Sequence, residues 1–289
     1  MFTIENELLQ VTIGAKGGEL QNIFHKNHQL QYLWNGDPSF WAKRSPVLFP
    51  IVGTLKKDTY FYKDKPYQLG RHGFARDMEF EMEALGQTSI TLLLRSNAVT
   101  LLNFPFEFEF RIRYAIEKNN LTVTYNVKNS GEDEMYFSVG GHPAFKVPLI
   151  RETDYSDYYL EFNEDETLAR WPISKEGLIE KHPAMFLQSR SVLPLTKELF
   201  YNDALVFKQP TSSMVSLLSD KTEHGFDFDF SGFPYLGIWA ARNADFVCTE
   251  PWCGIADSVD SDQQLTDKEG INKLSMNQIF EKCWKVSFF

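Results

Sequence analysis

The sequence is poor in cysteine and has no long apolar run. Only three cysteines occur in 289 residues, Cys248, Cys253 and Cys283, so a framework of paired disulfides is not expected. No stretch of about 18 apolar residues occurs, which excludes a transmembrane helix. The first residues contain neither a basic segment nor an apolar one, so no secretory signal is expected. Together these absences predict a soluble, cytoplasmic protein that does not act at a membrane.

Basic residues are fewer than acidic ones, 29 Lys and Arg against 39 Asp and Glu, and the formal net charge is −10. A protein with this charge repels phosphate backbones, so a nucleic-acid partner is not predicted. The chain contains neither a Walker A motif nor a G-x-G-x-x-G motif, so a nucleotide cofactor has no support. A G-x-S-x-G elbow is also absent, which argues against a serine hydrolase.

Aromatic residues, by contrast, are abundant: they make up 15% of the chain, and 25 of them are phenylalanines. Phenylalanine and tyrosine favour the half-buried face of a β-sheet. Apolar and charged residues alternate with period two over residues 106–116, and the pattern resumes over residues 121–127 after an Asn-rich link. Two such runs predict an antiparallel hairpin. Convincing helix patterns are scarce, with one helical turn predicted over residues 196–201.

Further strand-like runs follow at short spacing, with turn residues between them, and no Gly-, Ser- or Pro-rich linker divides the chain. Many antiparallel strands of this kind predict two large sheets that pack face to face. We therefore expect one all-β domain of the sandwich type over residues 1–289.

Two motifs combine arginine with small or cyclic residues. Arg44 stands directly before Ser45-Pro46, where a cation is held in a fixed position; the alternative is an arginine that snorkels at a strand end. The run 70–77 places His72 beside Arg71 and near Arg76, between two glycines that leave room for a ligand. The positive neighbours disfavour protonation of His72, so a neutral imidazole is expected. A solvated turn with a surface histidine is the alternative.

Two other motifs place a proton-transfer group at the end of a buried strand. His142 follows Gly140-Gly141 and precedes Pro143, and the proline restricts its backbone to extended conformations. The glycines leave space around this imidazole, which suits a proton donor or acceptor. Glu250 follows an apolar run and precedes Pro251-Trp252. Burial there raises a carboxyl pKa and makes the group a better base, unless it serves as one half of a structural salt bridge.

A metal site is a further possibility for these residues. His72, His142 and Glu250 could form a facial triad. The local spacing contains no H-x-H or HExxH pair, and Cys248 and Cys253 have no histidine partners nearby. No metal is therefore predicted. The acidic tract 257–262 lacks the spacing of an EF-hand and is interpreted as a solvated loop.

The four motifs, in this order and separation, resemble those of the aldose 1-epimerase (galactose mutarotase) superfamily, nearest to its LacX-like and hexose-6-phosphate 1-epimerase-like branches. The residues that carry the resemblance are Arg44 before Ser45-Pro46, residues 72–76, residues 141–145 and residues 249–252. The resemblance covers most of the chain. It implies a β-supersandwich and an isomerase that interconverts the α and β anomers of an aldose without a cofactor.

By position, the resemblance implies Glu250 as general base, His142 as general acid and His72 as a second histidine that contacts the sugar. It also implies that Arg44 and an aspartate, for which Asp203 is the candidate, bind the substrate. Arg71 and Arg76, which are also assigned to substrate binding, flank His72 as in the phosphosugar branch, and this argues against galactose as the natural substrate. The aromatic walls of a sugar site would come from three residues that are equally suited to the core: Phe74, Phe145 and Trp252.

Three functions follow as alternatives. The first is a 1-epimerase that acts on an aldohexose or a hexose 6-phosphate by acid–base ring opening. The second is a carbohydrate-binding or sensing protein on the same fold with little catalysis, because a fold does not dictate a function. The third is a metal-dependent hydrolase that uses His72, His142 and Glu250. The first two predict a small-molecule sugar or sugar phosphate as the partner, and the sequence does not specify an oligomeric state.

Overall fold

Antiparallel strands are the main regular structure in the computed structural model, which describes residues 1–289. The N-terminal strands are β1 (Phe2–Glu5), β2 (Leu9–Ile13), β3 (Leu20–His25), β4 (Leu30–Gln31), β5 (Val47–Leu48), β6 (Thr59–Tyr62), β7 (Lys65–Gln68), β8 (Glu81–Leu85) and β9 (Ser89–Arg95). The central strands are β10 (Phe108–Glu117), β11 (Asn120–Asn129), β12 (Met135–Phe137), β13 (Val139–Gly141), β14 (Ala144–Lys146), β15 (Tyr158–Glu166), β16 (Ala169–Arg170), β17 (Ala184–Met185) and β18 (Arg190–Pro194). The C-terminal strands are β19 (Leu205–Lys208), β20 (Met214–Ser219), β21 (Thr222–Asp229), β22 (Tyr235–Trp239), β23 (Phe246–Cys253), β24 (Asn272–Leu274) and β25 (Ile279–Phe288).

Helices are few and short. One α-helix, α1, spans Ala98–Asn103, and 3₁₀ turns span Lys56–Asp58, Ala75–Asp77, Tyr155–Asp157, Lys197–Phe200 and Leu265–Asp267. The turn at Lys197–Phe200 lies within the predicted helical segment 196–201. The sequence analysis did not predict α1, which begins at an Asn97 side chain that accepts hydrogen bonds from the backbone of Val99 and Thr100. No helix here combines the length and the hydrophobicity that crossing a bilayer requires.

Two large sheets dominate the architecture. The first has nine strands in the order β18-β15-β20-β21-β25-β11-β10-β9-β8. The second has six strands: β19-β22-β23-β13-β5 in order, with β14 as an additional partner of β23. A four-stranded sheet, β1-β2-β3-β4, and three two-stranded sheets complete the fold. Because all the paired strands of the two large sheets run antiparallel, they need no helical crossovers.

The predicted hairpin is confirmed at the centre of the nine-stranded sheet. Strands β10 and β11 pair in continuous register from Phe108↔Asn129 to Glu117↔Asn120. Their side chains alternate between buried and more exposed along both strands, as the period-two pattern requires. Phe110, Ile112 and Val123 point to the buried face. The apolar residues of this pattern therefore form one wall of the core.

The core lies between the two large sheets. The ring of Phe145 on β14 packs 4.2 Å from that of Phe226 on β21, measured between centroids. Phe49, next to β5, stacks 4.5 Å from Phe110 on β10. Such aromatic pairs add to the free energy of apolar burial, which is about 1.5–3 kcal/mol for each fully buried phenylalanine. The all-β sandwich predicted from the sequence is confirmed.

Candidate active site

Strand register places His142 opposite Glu250. Strand β13 pairs with β23 through Gly140↔Trp252, and β14 pairs with the same strand through Ala144↔Cys248. His142 lies midway between Gly140 and Ala144, and Glu250 lies midway between their partners Trp252 and Cys248, so His142 and Glu250 face each other. Pro143 interrupts the pairing between β13 and β14 because proline has no backbone N–H to donate. The sheet therefore sets the imidazole and the carboxyl group side by side.

The two side chains form a close and buried pair. His142 Nε2 lies 3.3 Å from Glu250 Oε2. Glu250 is 2% exposed and His142 is 8% exposed. The imidazole is enclosed by two indoles, with ring centroids 4.9 Å away at Trp41 and 5.4 Å away at Trp239. This packing fixes the orientation of the ring relative to the carboxyl group.

Burial determines the protonation of the pair. Loss of solvation raises the pKa of Glu250 well above its ordinary value of 4.5, although the positive charge of Arg71 opposes this shift. Loss of solvation, assisted by Arg71, lowers the pKa of His142 to about 3. Both shifts favour the neutral forms. The pair is therefore shifted toward a protonated carboxyl group beside an uncharged imidazole.

His72 approaches the pair from a tight loop, residues 70–75, that lies on the segment after β5. Phe49 N donates to His72 O, and Phe49 O accepts from both Phe74 N and Ala75 N. The His72 ring is 6% exposed, and its centroid is 5.8 Å from that of His142 in an edge-on arrangement. Burial first, then the neighbouring His142 and Arg71, lowers the pKa of His72 well below 6.5. A neutral His72, expected from the sequence, agrees with these surroundings.

A cavity of about 310 Å³ opens above these three residues, within the size range of small-ligand sites. Six of the seven side chains assigned to the site from the sequence line it: Arg71, His72, Arg76, His142, Asp203 and Glu250. Arg71 Nη2 lies 3.6 Å from Asp203 Oδ1. Arg76 Nε is buried without a hydrogen-bond partner. The cavity therefore brings polar groups together from four separate stretches of the chain.

The structure does not bring the seventh residue, Arg44, to the cavity. Its Nη1 donates to Gln21 Oε1 at 2.5 Å, and its Nη2 donates to the Asn35 carbonyl at 2.6 Å. Its backbone N–H donates to Glu19 Oε1. Through Gln21 the guanidinium joins its own loop to the four-stranded sheet, and Arg44 does not line the cavity, so its position does not support the substrate contact expected for it.

Of the three candidate aromatic walls, only Trp252 lines the cavity. Phe145 is fully buried in the core, and Phe74 packs on Phe49, Phe104 and Phe108. The wall is completed by residues that the sequence analysis did not assign to the site: Trp41, Trp239, Ile173, Ile179, Ala204 and Val206. Trp41 lies in the same motif as Arg44, and of the two it is Trp41 that lines the cavity.

The glycines before His142 serve packing rather than ligand access. A Cβ on Gly140 would lie 2.7 Å from the Trp252 ring, and one on Gly141 would lie 2.7 Å from the Tyr125 hydroxyl. The space that they leave is thus filled by side chains of the protein itself. The Trp252 indole uses this space to reach the cavity wall.

Three side chains in the site lie close enough together to serve as ligands of one metal ion. Ligand atoms of His142, Cys248 and Glu250 all lie within 4.8 Å of one another. The facial triad considered from the sequence contains His72, which is not part of this group. Burial raises the pKa of the Cys248 thiol well above its ordinary value, so the thiol form prevails over the thiolate that a metal requires.

Comparisons with known proteins identify the family of this chain. The family described as aldose 1-epimerase matches residues 1–265. The chain is 35% identical over 293 residues to "Protein LacX, chromosomal" of Lactococcus lactis subsp. lactis, with 98% of each chain covered. A second LacX protein of that organism, plasmid-encoded, is also 35% identical.

Solved structures show the same fold. The galactose mutarotase related enzyme from Lactobacillus acidophilus superposes with a TM-score of 0.95 at 35% identity, covering 100% of this chain and 97% of that one. A galactose mutarotase-like protein from Lactobacillus casei ATCC 334 gives a TM-score of 0.94 at 31% identity, with both chains fully covered. The resemblance inferred from the four motifs is confirmed, and the chain belongs to the aldose 1-epimerase family.

Proposed function

We propose that this protein is an aldose 1-epimerase, an isomerase that interconverts the α and β anomers of an aldohexose. The observation that carries the proposal is the buried contact of 3.3 Å between His142 Nε2 and Glu250 Oε2 at the base of the cavity. Opening of a hemiacetal ring removes a proton from the hydroxyl on C1 and adds a proton to the ring oxygen. Both oxygens are bonded to C1, so a base and an acid placed side by side can reach the hydroxyl and the ring oxygen at the same time.

The proton count of the pair suits this reaction. In the neutral pair the transferable proton is the carboxyl proton of Glu250. Its transfer to His142 produces a carboxylate and an imidazolium without any exchange with solvent. Glu250 then accepts the C1 hydroxyl proton while His142 donates to the ring oxygen. Rotation about the C1–C2 bond and closure with the roles reversed give the other anomer. Each proton-transfer partner typically contributes about 10²–10⁴-fold to the rate.

Other groups in the cavity suit the recognition of a sugar. Trp41, Trp239 and Trp252 offer aromatic surfaces for the apolar face of a pyranose ring. Asp203 is positioned to accept hydrogen bonds from sugar hydroxyls, and its side chain is 31% exposed. The indoles also exclude water from the reacting protons, which strengthens electrostatic interactions inside the site.

Anomer equilibration tests the proposal directly. Freshly dissolved α-D-glucose or α-D-galactose is followed by polarimetry, with hexose 6-phosphates as a parallel series. We expect the first-order relaxation constant to rise in proportion to protein concentration for at least one of these sugars. Calorimetric binding of a sugar whose relaxation is not accelerated would overturn the proposal and identify a carbohydrate-binding protein instead.

The pH dependence of kcat/KM reports on the pair in the free enzyme. In the active pair the carboxyl group is protonated and the imidazole is neutral. A further proton binds His142 at its lowered pKa, about 3. Glu250 loses its carboxyl proton only at its raised pKa, well above 4.5. We therefore expect activity to persist on acidification far below pH 6.5 and to decline toward pH 3. An acid limb near the ordinary imidazole pKa would contradict this assignment of protons.

A phosphorylated hexose is a second candidate substrate, favoured by the two arginines of the cavity. Arg76 carries a buried Nε without a partner, and its nearest carboxylate oxygen, on Asp77, is 3.7 Å away. We expect Arg76→Gln to raise KM for a hexose 6-phosphate by about 10- to 100-fold, because a hydrogen bond to a charged group is lost. For an unphosphorylated hexose the change should be about 3-fold or less.

Arg111→Gln serves as the matched control for this variant. Arg111 lies on the outer face of the nine-stranded sheet, where it pairs with Glu83 at 2.8 Å. Its replacement removes one positive charge from the protein without altering the cavity. Equal changes in KM in the two variants would show that net charge, rather than a contact with Arg76, attracts the phosphate.

A further inference from the structure

Both ring nitrogens of His72 are placed as hydrogen-bond acceptors. The backbone N–H of Gly53 points at Nδ1 over 3.1 Å, and Arg71 Nε points at Nε2 over 3.3 Å. A neutral imidazole has one unprotonated nitrogen, and an imidazolium has none. Only one of the two contacts can therefore be a hydrogen bond at any time, and the other must bring two N–H groups together.

The contact with Gly53 is the rigid one. Gly53 has a φ of +74°, and a Cβ at this position would lie 2.4 Å from the Ala256 Cβ. Glycine is thus required both by the left-handed backbone and by the close approach. The backbone N–H of His72 donates in turn to Gly53 O at 2.8 Å. Two reciprocal bonds therefore hold the Gly53 amide and the imidazole in place.

The contact with Arg71 is the flexible one. The Arg71 side chain is 47% exposed, and Asp203 offers it a carboxylate partner at 3.6 Å. A long arginine side chain can leave His72 with its charge still compensated by Asp203 and by solvent. The Gly53 amide has no comparable alternative, so the conflict is resolved in favour of Gly53. Nδ1 then accepts, and the proton of the ring is on Nε2.

We propose that Gly53 holds His72 as the Nε2–H tautomer, that Arg71 turns away from this N–H, and that the sugar contact which the resemblance implies for His72 is a hydrogen bond donated by Nε2–H. The part of the inference that concerns the sugar rests on the proposed function. Under this inference His72 positions the substrate and exchanges no proton, so proton transfer is left to Glu250 and His142. The sugar oxygen that accepts from the Nε2–H of His72 can belong to a hydroxyl or a phosphate group, since both accept hydrogen bonds.

The tautomer can be measured without any sugar or activity. The ¹⁵N chemical shifts of histidine ring nitrogens distinguish protonated from unprotonated positions, and a His72→Gln spectrum assigns the His72 signals. We expect a protonated Nε2 and an unprotonated Nδ1 near neutral pH, both in the wild type and in Arg71→Met. A protonated Nδ1 in the wild type, or a change of tautomer in Arg71→Met, would show that Arg71 rather than Gly53 sets the tautomer.

Substitution of His72 by glutamine or by asparagine distinguishes the roles of its two ring nitrogens. The amide of glutamine reaches the position of Nε2 and keeps a donor there, whereas that of asparagine reaches only the position of Nδ1 and accepts from Gly53. We expect His72→Gln to bind the sugar about 10-fold more tightly than His72→Asn, because only glutamine keeps a donor at the position of Nε2. Calorimetric Kd is the primary measurement, and KM is the second where turnover is observed.

Thermal stability provides the control for this comparison. His72 has a φ of +69°, a conformation that asparagine adopts more readily than glutamine. We therefore expect His72→Asn to be at least as stable as His72→Gln although it binds sugar more weakly. Equal loss of affinity in both variants, or a displaced acid limb of kcat/KM in His72→Gln, would overturn the assignment of His72 as a donor that keeps its proton.

Discussion

Replacement of Glu250 by glutamine is expected to reduce the catalysed interconversion of anomers by about 10²–10⁴-fold, the typical contribution of a positioned general base. Glutamine has nearly the same shape as the protonated glutamic acid, so the cavity and the contact with His142 are preserved. An amide does not accept the C1 hydroxyl proton. We expect the loss to appear in kcat, measured by polarimetry at several sugar concentrations, with sugar affinity changed by about 3-fold or less.

Stability distinguishes this loss from misfolding. The pKa of Glu250 is raised in the folded protein, so its contribution to stability is present at pH values below the unfolded pKa and is lost as pH rises through the folded pKa. Glutamine carries no charge at any pH. The variant should therefore unfold at the same temperature as the wild type at acidic pH, and at a higher temperature at alkaline pH.

Two outcomes would count against this assignment. A Glu250→Gln variant with nearly full activity would remove the carboxyl group from the mechanism. A variant less stable than the wild type at alkaline pH would show that Glu250 is ionised and paired in the native protein. The second outcome corresponds to the structural salt bridge that the sequence left open as an alternative role for Glu250.

The fold could be predicted because its pattern is local. Alternation over residues 106–116 and 121–127 specifies both the strands and the face that each side chain takes. The short helix α1 could not be predicted in this way, because Val99 and Leu102 are largely exposed and give no amphipathic period. Its start depends instead on the Asn97 cap.

The individual site residues could be predicted from their local context, but their proximity could not. His142 and Glu250 are each recognisable as a polar group at the end of an apolar run. Their contact follows from the register of β13 and β14 on β23, which connects residues more than 100 positions apart. Periodicity shows which face a residue occupies but not which strand lies beside it.

Arg44 and Trp41 show a different limit. The motif around residues 40–50 reaches the cavity, yet the charged residue within it turns away and the indole lines the cavity. Arginine finds partners wherever carbonyl and amide oxygens lie within reach of its long side chain, as at Asn35 and Gln21. Which of two nearby side chains faces a cavity depends on those tertiary partners and not on residue type.

His142→Gln is expected to lower the rate of anomer interconversion by about 10²–10⁴-fold. The glutamine amide reaches the position of Nε2 and keeps a hydrogen bond to Glu250, but it cannot become a cation that donates a proton to the ring oxygen. The lowered pKa of the wild-type His142, about 3, makes the wild type lose stability as pH falls from 6.5 toward 3, because the unfolded chain binds more protons. The variant lacks this loss and should resist acid better, as measured by thermal unfolding at pH near 4.

The double variant Glu250→Gln/His142→Gln tests whether the pair acts as one unit. Residues that share a proton give strongly non-additive effects, because removal of either one already disables the transfer. We expect the double variant to be within about 10-fold of the slower single variant. Rates that fall by the product of the two single effects would mean that the two groups act independently, on different protons and in different steps.

The same substitution at the two histidines gives the sharpest contrast. His142→Gln removes an acid and should reduce turnover by at least about 10²-fold, whereas His72→Gln keeps a donor at the position of Nε2 and should cause a loss at least about 10-fold smaller. Both rings are buried, and their centroids are 5.8 Å apart, so general disturbance of the cavity would affect both variants alike. Equal losses would contradict the separate roles of the two imidazoles, and a larger loss at His72 would reverse the assignment of the acid.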